Sequence, residues 1–237
     1  MLMLGLDSTA VSASAAIAEA DENGLKTYSV FSVKNKMTHS ENLLPMVDDA
    51  LRVYGASMDQ IGLIAVNAGP GSFTGVRIGI ATAKGLAFPR EIPCAPVSTL
   101  EAIAENVRNL PGTVCALMDA RREQFYYALF RAGERLTDDS AGAIEDVFAS
   151  FPAEGDIWLC GDGANLFARM AARQSDRPVR LVPESCRDQN ALATLLCGYR
   201  MFLSGKTVTG KDLRPVYLRV PQAERERLKK ENEGKGV

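Results

Sequence analysis

Residues 67 to 79, Asn-Ala-Gly-Pro-Gly-Ser-Phe-Thr-Gly-Val-Arg-Ile-Gly, set Gly69, Pro70, Gly71, Ser72, Gly75 and Gly79 between an apolar run and a helical pattern. A strand, a glycine-rich turn and a helix start together can hold an anion. Glycines let backbone come close, Ser72 can cap the first turn, and free N–H groups at the helix end point outward. Two specific phosphate motifs fail, however. A Walker A loop needs a lysine after its last glycine, and Gly75 is followed by Val76 and Arg77. The dinucleotide fingerprint fails on the spacing of Gly69, Gly71 and Gly75 and on the intrusion of Pro70. A plain glycine-rich turn is the local alternative. A metal site built on paired histidines is excluded, because the chain holds a single histidine, His39, which reads as a polar residue in a helix's first turn. Cys94, Cys115, Cys160, Cys186 and Cys197 are odd in number and widely spaced in apolar patterns. They read as reduced, buried thiols and form no metal motif.

The helix after the turn carries Gly75, Gly79 and Gly85 in its interior, and each costs about 0.8 to 1 kcal/mol relative to alanine. That loss calls for a compensating contact. Gly75, Gly79 and Ala83 are four apart and line one face. Two readings stand: the groove faces the chain's own sheet, or it receives a helix of a second protein.

These residues need elements to position them. Leu2 to Leu6 is an apolar strand ending at Asp7, Ser8 and Thr9; Ser12 to Glu19 and Leu25 to Val33 complete an antiparallel meander around a turn at Asp21 to Gly24. Thr38 and Glu41 have capping-box spacing for a first helix with the stripe Leu43, Val47, Ala50, Leu51 and Tyr54, and Pro45 should kink that helix or mark its true start. Ile61 to Val66 is a short buried strand, Ile92 to Val97 is extended, and Thr99 to Val107 is helical. Then the pattern restarts: Thr113 to Met118 is a strand ending at Asp119, followed by an aromatic strand at Gln124 to Phe130. Helices near Ala143 to Ser150, Ala164 to Ala172 and Gln189 to Leu203 follow, with a strand at Asp156 to Cys160. This order predicts an α/β protein of two related halves with the actin-like, ribonuclease H-like architecture. The expected division is residues 1–107, 108–222, and a charged tail at 223–237.

With 46% hydrophobic and 24% charged residues in 237, the chain is an ordinary globular protein. A net charge of −2 and an isoelectric point near 5.6 argue against unaided nucleic-acid binding, which depends on clustered cations. No apolar run approaches the ~20 residues of a membrane helix, and the first residues lack the basic start of a signal peptide. A cytoplasmic location without membrane association is expected.

Leu-Gly-Leu-Asp-Ser-Thr at 4–9, His-Ser-Glu-Asn-Leu-Leu-Pro at 39–45, the segment at 69–79, Val97-Ser98-Thr99-Leu100, Asp119-Ala120-Arg121 and Tyr217-Leu218-Arg219 occur in one order. Together they resemble the TsaB family, also called YeaZ, of the TsaD/Gcp-like superfamily, over nearly the whole chain. The resemblance implies a non-catalytic actin-like subunit needed to make N6-threonylcarbamoyladenosine beside the anticodon of tRNAs reading codons that begin with A. It implies pairing with the transferase TsaD, recruitment of the small ATPase TsaE, access to tRNA through that complex, and a homodimer when alone. It implies no cofactor for this chain itself, with ATP and Mg entering through the complex. The partner interface is expected at Leu43, Val47, Leu51, Tyr54, Gly75, Val76, Gly79, Ile80 and Ala83. An anion or nucleotide site would use Asp7, Thr9, Gly69, Gly71 and Ser72. Nucleotide-binding relatives carry Asp-x-Gly in the first turn, whereas Asp7 is followed here by Ser8, Thr9 and Ala10. The competing reading is an ATP-binding phosphotransferase. Arg121 and Arg122 are either partner or tRNA contacts or simply solvated.

Overall fold

The computed structural model describes residues 1–35, 39–175 and 177–219. Strands β1 (Leu2–Asp7), β2 (Ala13–Asp21) and β3 (Gly24–Val33) form the antiparallel meander, with Leu4 opposite Ile17 and Asp7 opposite Ser14. Strands β4 (Ile61–Gly69) and β5 (Cys94–Ser98) join in parallel, giving the order β3-β2-β1-β4-β5. The central strands are buried almost throughout because both faces are covered, which is why β1 and β4 read as continuous apolar runs. Alternate residues serve opposite layers. Leu4, Leu6, Ile64 and Val66 face helices α1 (His39–Tyr54) and α2 (Phe73–Ala87), while Met3, Leu63 and Ala65 face helix α6 (Ala191–Leu203).

The second sheet repeats the theme. Strand β6 (Thr113–Asp119) pairs antiparallel with β7 (Gln124–Arg131), whose outer partners are the short β8 (Glu134–Arg135) and β9 (Ser140–Ala143). On the other side β10 (Ile157–Cys160) and β11 (Arg180–Leu181) add in parallel. Helices α4 (Ile144–Ser150) and α5 (Ala164–Gln174) cover one face around Phe125, Phe151 and Phe167; α3 (Thr99–Glu105) covers the other through Leu100 and Ile103. Two sheets, each led by a hairpin whose first strand ends in aspartate, make the actin-like arrangement.

One boundary differs from expectation. Helix α6 lies within the predicted second half but packs on the first sheet, so closely that a Cβ at Gly198 would overlap the side chain of Ala65. The chain then pairs Val208 with Cys94 through two 2.8 Å backbone hydrogen bonds and buries Leu213 in the first core. By packing, the second unit therefore ends near residue 188. The first sheet needs a second covering layer, and α3, which follows β5, is shared with the second sheet. Pro45 sits inside α1 and does not start it. The capping residue Thr38 and the tail at 223–237 lie outside the described residues. No described helix is long and apolar enough to cross a membrane. All five cysteines are unpaired, and only Cys186 is partly exposed.

Candidate functional site

A cleft of about 570 Å3 opens between the halves, where the first turn and the glycine-rich loop face the turn after β6. Thr9, Gly71 and Ser72 line one wall; Asp119, Arg121 and Asp162 line the other. Asp7 stands behind the wall, 1% exposed. Its Oδ1 accepts the Thr9 N–H at 2.9 Å and the Thr9 hydroxyl at 2.7 Å, and its Oδ2 is buried without a hydrogen-bond partner. Burial raises the Asp7 pKa; the Thr9 bonds, Asn67 and His39 oppose that without cancelling it.

The loop glycines are filled by the chain itself. A Cβ at Gly69, which has φ +124°, would overlap the Val216 carbonyl oxygen; one at Gly75 would overlap that of Ser8; one at Gly71 would lie 2.5 Å from that of Thr9. One backbone and two serine side-chain hydrogen bonds lock the same contact. Ser72 N–H donates to Thr9 O at 2.7 Å, the Ser8 hydroxyl donates to Gly75 O at 2.8 Å, and Ser72 Oγ caps Gly75 N–H at 3.3 Å. The room that the sequence offers to a phosphate is occupied largely by the first turn and by residue 216. His39 Nε2–H donates to Ala10 O at 2.6 Å, which ties α1 to the same turn.

On the opposite wall, Asp119 is satisfied locally: Oδ1 accepts the Arg121 N–H at 2.7 Å, and Oδ2 pairs with the Arg121 guanidinium at 3.1 Å. Arg121, Arg122 and Glu123 are all left-handed, with φ of 66°, 57° and 58°, a conformation costing about 1–2 kcal/mol per non-glycine residue. Asp162 accepts the Asp119 N–H at 3.3 Å. Burial chiefly pushes its pKa up to about 6; the charges of Asp119 and Asp188 add to the rise, and the Asp119 N–H and Arg121 oppose it. Among the described residues no group of three or more His, Cys, Asp or Glu is placed to hold a metal ion.

A C-terminal strap crosses this site, and sequence reasoning missed it. Val216 N–H donates to Ala68 O at 2.7 Å, the Tyr217 ring lies 5.1 Å from that of Phe73, and the Arg77 guanidinium sits 4.2 Å over the Phe73 ring. Arg219 Nη1 then donates to Ala120 O at 3.0 Å, joining the strap to the left-handed turn. The available signal was the Tyr-Leu-Arg triplet, a polar and aromatic cluster after the last helix.

The expected partner residues require correction. Leu43, Val47 and Leu51 are 1%, 1% and 8% exposed, and Val76, Ile80 and Ala83 are 0%, 5% and 0%; all six share the first core. Gly75 and Gly79 face Ser8, and Tyr54 is half-buried with its hydroxyl on that of Thr27. A periodic apolar stripe marks the face a helix buries, and here it is buried against its own sheet. The outward face of α2 carries Ile78, Ala81, Thr82 and Gly85, and leads to Phe88, which is 74% exposed. Beside it α1 exposes Leu44 at 49% and Val53 at 59%. Gly85 has no atom within 4 Å of its Cβ position. Six residues on from Gly79, it is turned about 120° away from the buried groove, which was readable from spacing.

The protein-family profile described as TsaD, tRNA N6-adenosine threonylcarbamoyltransferase, matches residues 33–176. A protein of Escherichia coli K12 named tRNA threonylcarbamoyladenosine biosynthesis protein TsaB is 34% identical over 193 residues, covering 76% of this chain and 80% of its own length. Its namesake in Haemophilus influenzae is 29% identical over 228 residues, covering 92% and 94%. The solved structure of YeaZ from Pseudomonas aeruginosa superposes with a TM-score of 0.77 at 28% identity, covering 92% of this chain and 99% of that one.

Proposed function

Because the chain belongs to the TsaB family of tRNA threonylcarbamoyladenosine biosynthesis proteins, we propose that it serves this pathway as a non-catalytic subunit acting through the outward faces of α1 and α2. The observation that carries the reading is Gly85. A glycine within a helix lowers its stability by up to about 0.8–1 kcal/mol; Gly75 and Gly79 recover this through close contacts within the chain, and Gly85, in the last turn of α2, does not. With Ile78, Ala81 and the exposed Phe88 and Leu44 nearby, it gives a low-relief surface on which another helix can lie.

The partner is a TsaD-like transferase. The same profile describes that transferase and matches 33–176 of this chain, a span holding both α1 and α2, so two related folds would pair through equivalent faces in a pseudo-twofold manner. Alone, the chain would use the same face to form a homodimer. A TsaE-like ATPase, ATP with Mg, and tRNA join through the complex, in the cytoplasm, where unpaired cysteines stay reduced. The crowding of Gly69, Gly71 and Gly75 by the chain's own backbone supports assigning nucleotide chemistry to the partner. The cleft supports one rival, an ATP-binding phosphotransferase using Thr9, Gly71 and Ser72. Calorimetry with MgATP on the isolated chain separates them: no saturable heat supports the subunit reading, and micromolar binding lost in Thr9→Ala supports the rival. The docking claim is tested by co-purifying the transferase of the same host with wild type and with Gly85→Leu. Loss of the complex is expected, and wild-type recovery would overturn it.

A further inference from the structure

A second cleft, of about 460 Å3, lies away from the first, beside the edge strand β3 and the start of α6. Ser12, Ser32, Lys34, Gln189 and Asn190 are among its lining residues. Two of these carry orphaned polar atoms. Gln189 is 2% exposed, and neither its Nε2 nor its Oε1 has a hydrogen-bond partner; Ser12 is 4% exposed, and its Oγ has none. A buried amide without partners is costly, and turning this head group toward the cleft breaks no hydrogen bond. We infer that the cleft binds a neutral amide group, seated on the Gln189 carboxamide and the Ser12 hydroxyl.

The chemistry of the wall selects that class. A carboxamide offers a donor and an acceptor side by side in one plane, and its full complement is another amide, which returns both bonds. An anion is disfavoured. Lys34 is already paired with Asp188 at 2.7 Å, and Glu184 also lines the cleft, so these three groups sum to a formal −1. The N-terminal end of α6 is also taken up, since Ala191 N–H donates to Ser14 Oγ at 2.7 Å and Ala193 N–H to Asn190 Oδ1 at 3.0 Å. A cleft of this size holds a small molecule or one peptide unit, so the amide could come from a metabolite or from a polypeptide.

The test is a 15N–1H NMR titration of the full chain, with the Gln189 side-chain resonances identified by their loss in Gln189→Leu. Acetamide serves as the small amide, and N-acetylglycine N-methylamide as the peptide unit. Saturable shifts at Gln189 and at the amides of 12, 32 and 190 are expected from at least one probe, and the stronger response identifies the source. In Ser12→Ala the affinity should fall about ten-fold, the size of one lost hydrogen bond. Gln189→Leu should melt no lower than wild type and lose the response. No saturable shift from either probe, as an internal water satisfying Gln189 would give, overturns the inference, and so does an undiminished response at 12 and 32 in Gln189→Leu.

Discussion

Replacing Gly85 by alanine should make this protein more stable. The position is exposed and lies in the last turn of α2, with no atom within 4 Å of the added carbon outside its own helix backbone, so no contact is strained and the helix gains up to about 0.8–1 kcal/mol. For a chain of 237 residues that corresponds to a rise in Tm of roughly 2–4 °C. Gly75→Ala is the control, because there the same methyl group would overlap the Ser8 carbonyl oxygen and should cost about 1–3 kcal/mol, the usual penalty of overpacking. Differential scanning calorimetry of the two variants reads the contrast, and calorimetric titration with the transferase reads the functional side. Gly85→Leu should fold at least as well as wild type and bind at least ten-fold more weakly, since a bulky side chain holds the docked helix off. A Gly85→Ala protein that melts below wild type would show that the glycine has a role within the chain, and the reasoning would fail at its first step.

Leu43→Ala should lower stability by about 2–5 kcal/mol, because its side chain is 1% exposed in the first core; denaturant unfolding checks this, and a stable variant with weakened partner binding would restore Leu43 to the interface. Asp162 makes stability depend on pH in the reverse of the usual carboxylate sense. Its pKa rises from an ordinary 3.8 to about 6 on folding, so the folded state binds the proton more tightly, and stability is greatest below about pH 3.8 and declines as pH rises through 6. The cost at pH 7 is about 3 kcal/mol. Asp162→Asn should therefore raise Tm at pH 7.5 and leave it nearly unchanged at pH 4; equal shifts at both would contradict the assignment. Arg219→Ala should speed hydrogen exchange in residues 120–124 several-fold while α5 is unaffected, as follows if its 3.0 Å bond to Ala120 holds the left-handed turn.

The two hairpins were legible because β1 and β6, covered on both faces, read as short continuous apolar runs, and because Asp7 and Asp119 close both leading strands. The location of α6 was not. Its apolar pattern shows that it is buried but says nothing of which sheet buries it, and Gly198 fits only once Ala65 is seen beneath it. The same limit explains the misassigned interface. Leu43, Val47 and Val76 are periodic because their own sheet lies against them, and periodicity does not distinguish that from a partner. Gly69 and Gly71 correctly signalled a close backbone approach, but the approaching atoms belong to Val216 and Thr9. Residue 216 is 147 positions further along the chain than Gly69, beyond the reach of any local pattern.

The central claim is that this chain supports threonylcarbamoyladenosine synthesis through the outward face of α2. The most direct test replaces the native gene with the Gly85→Leu form and measures threonylcarbamoyladenosine in bulk tRNA by mass spectrometry, with protein level and Gly85→Ala as controls. A fall toward the level of a depleted strain, at normal abundance of the variant, is the predicted result. Full modification with Gly85→Leu as the sole copy would contradict it.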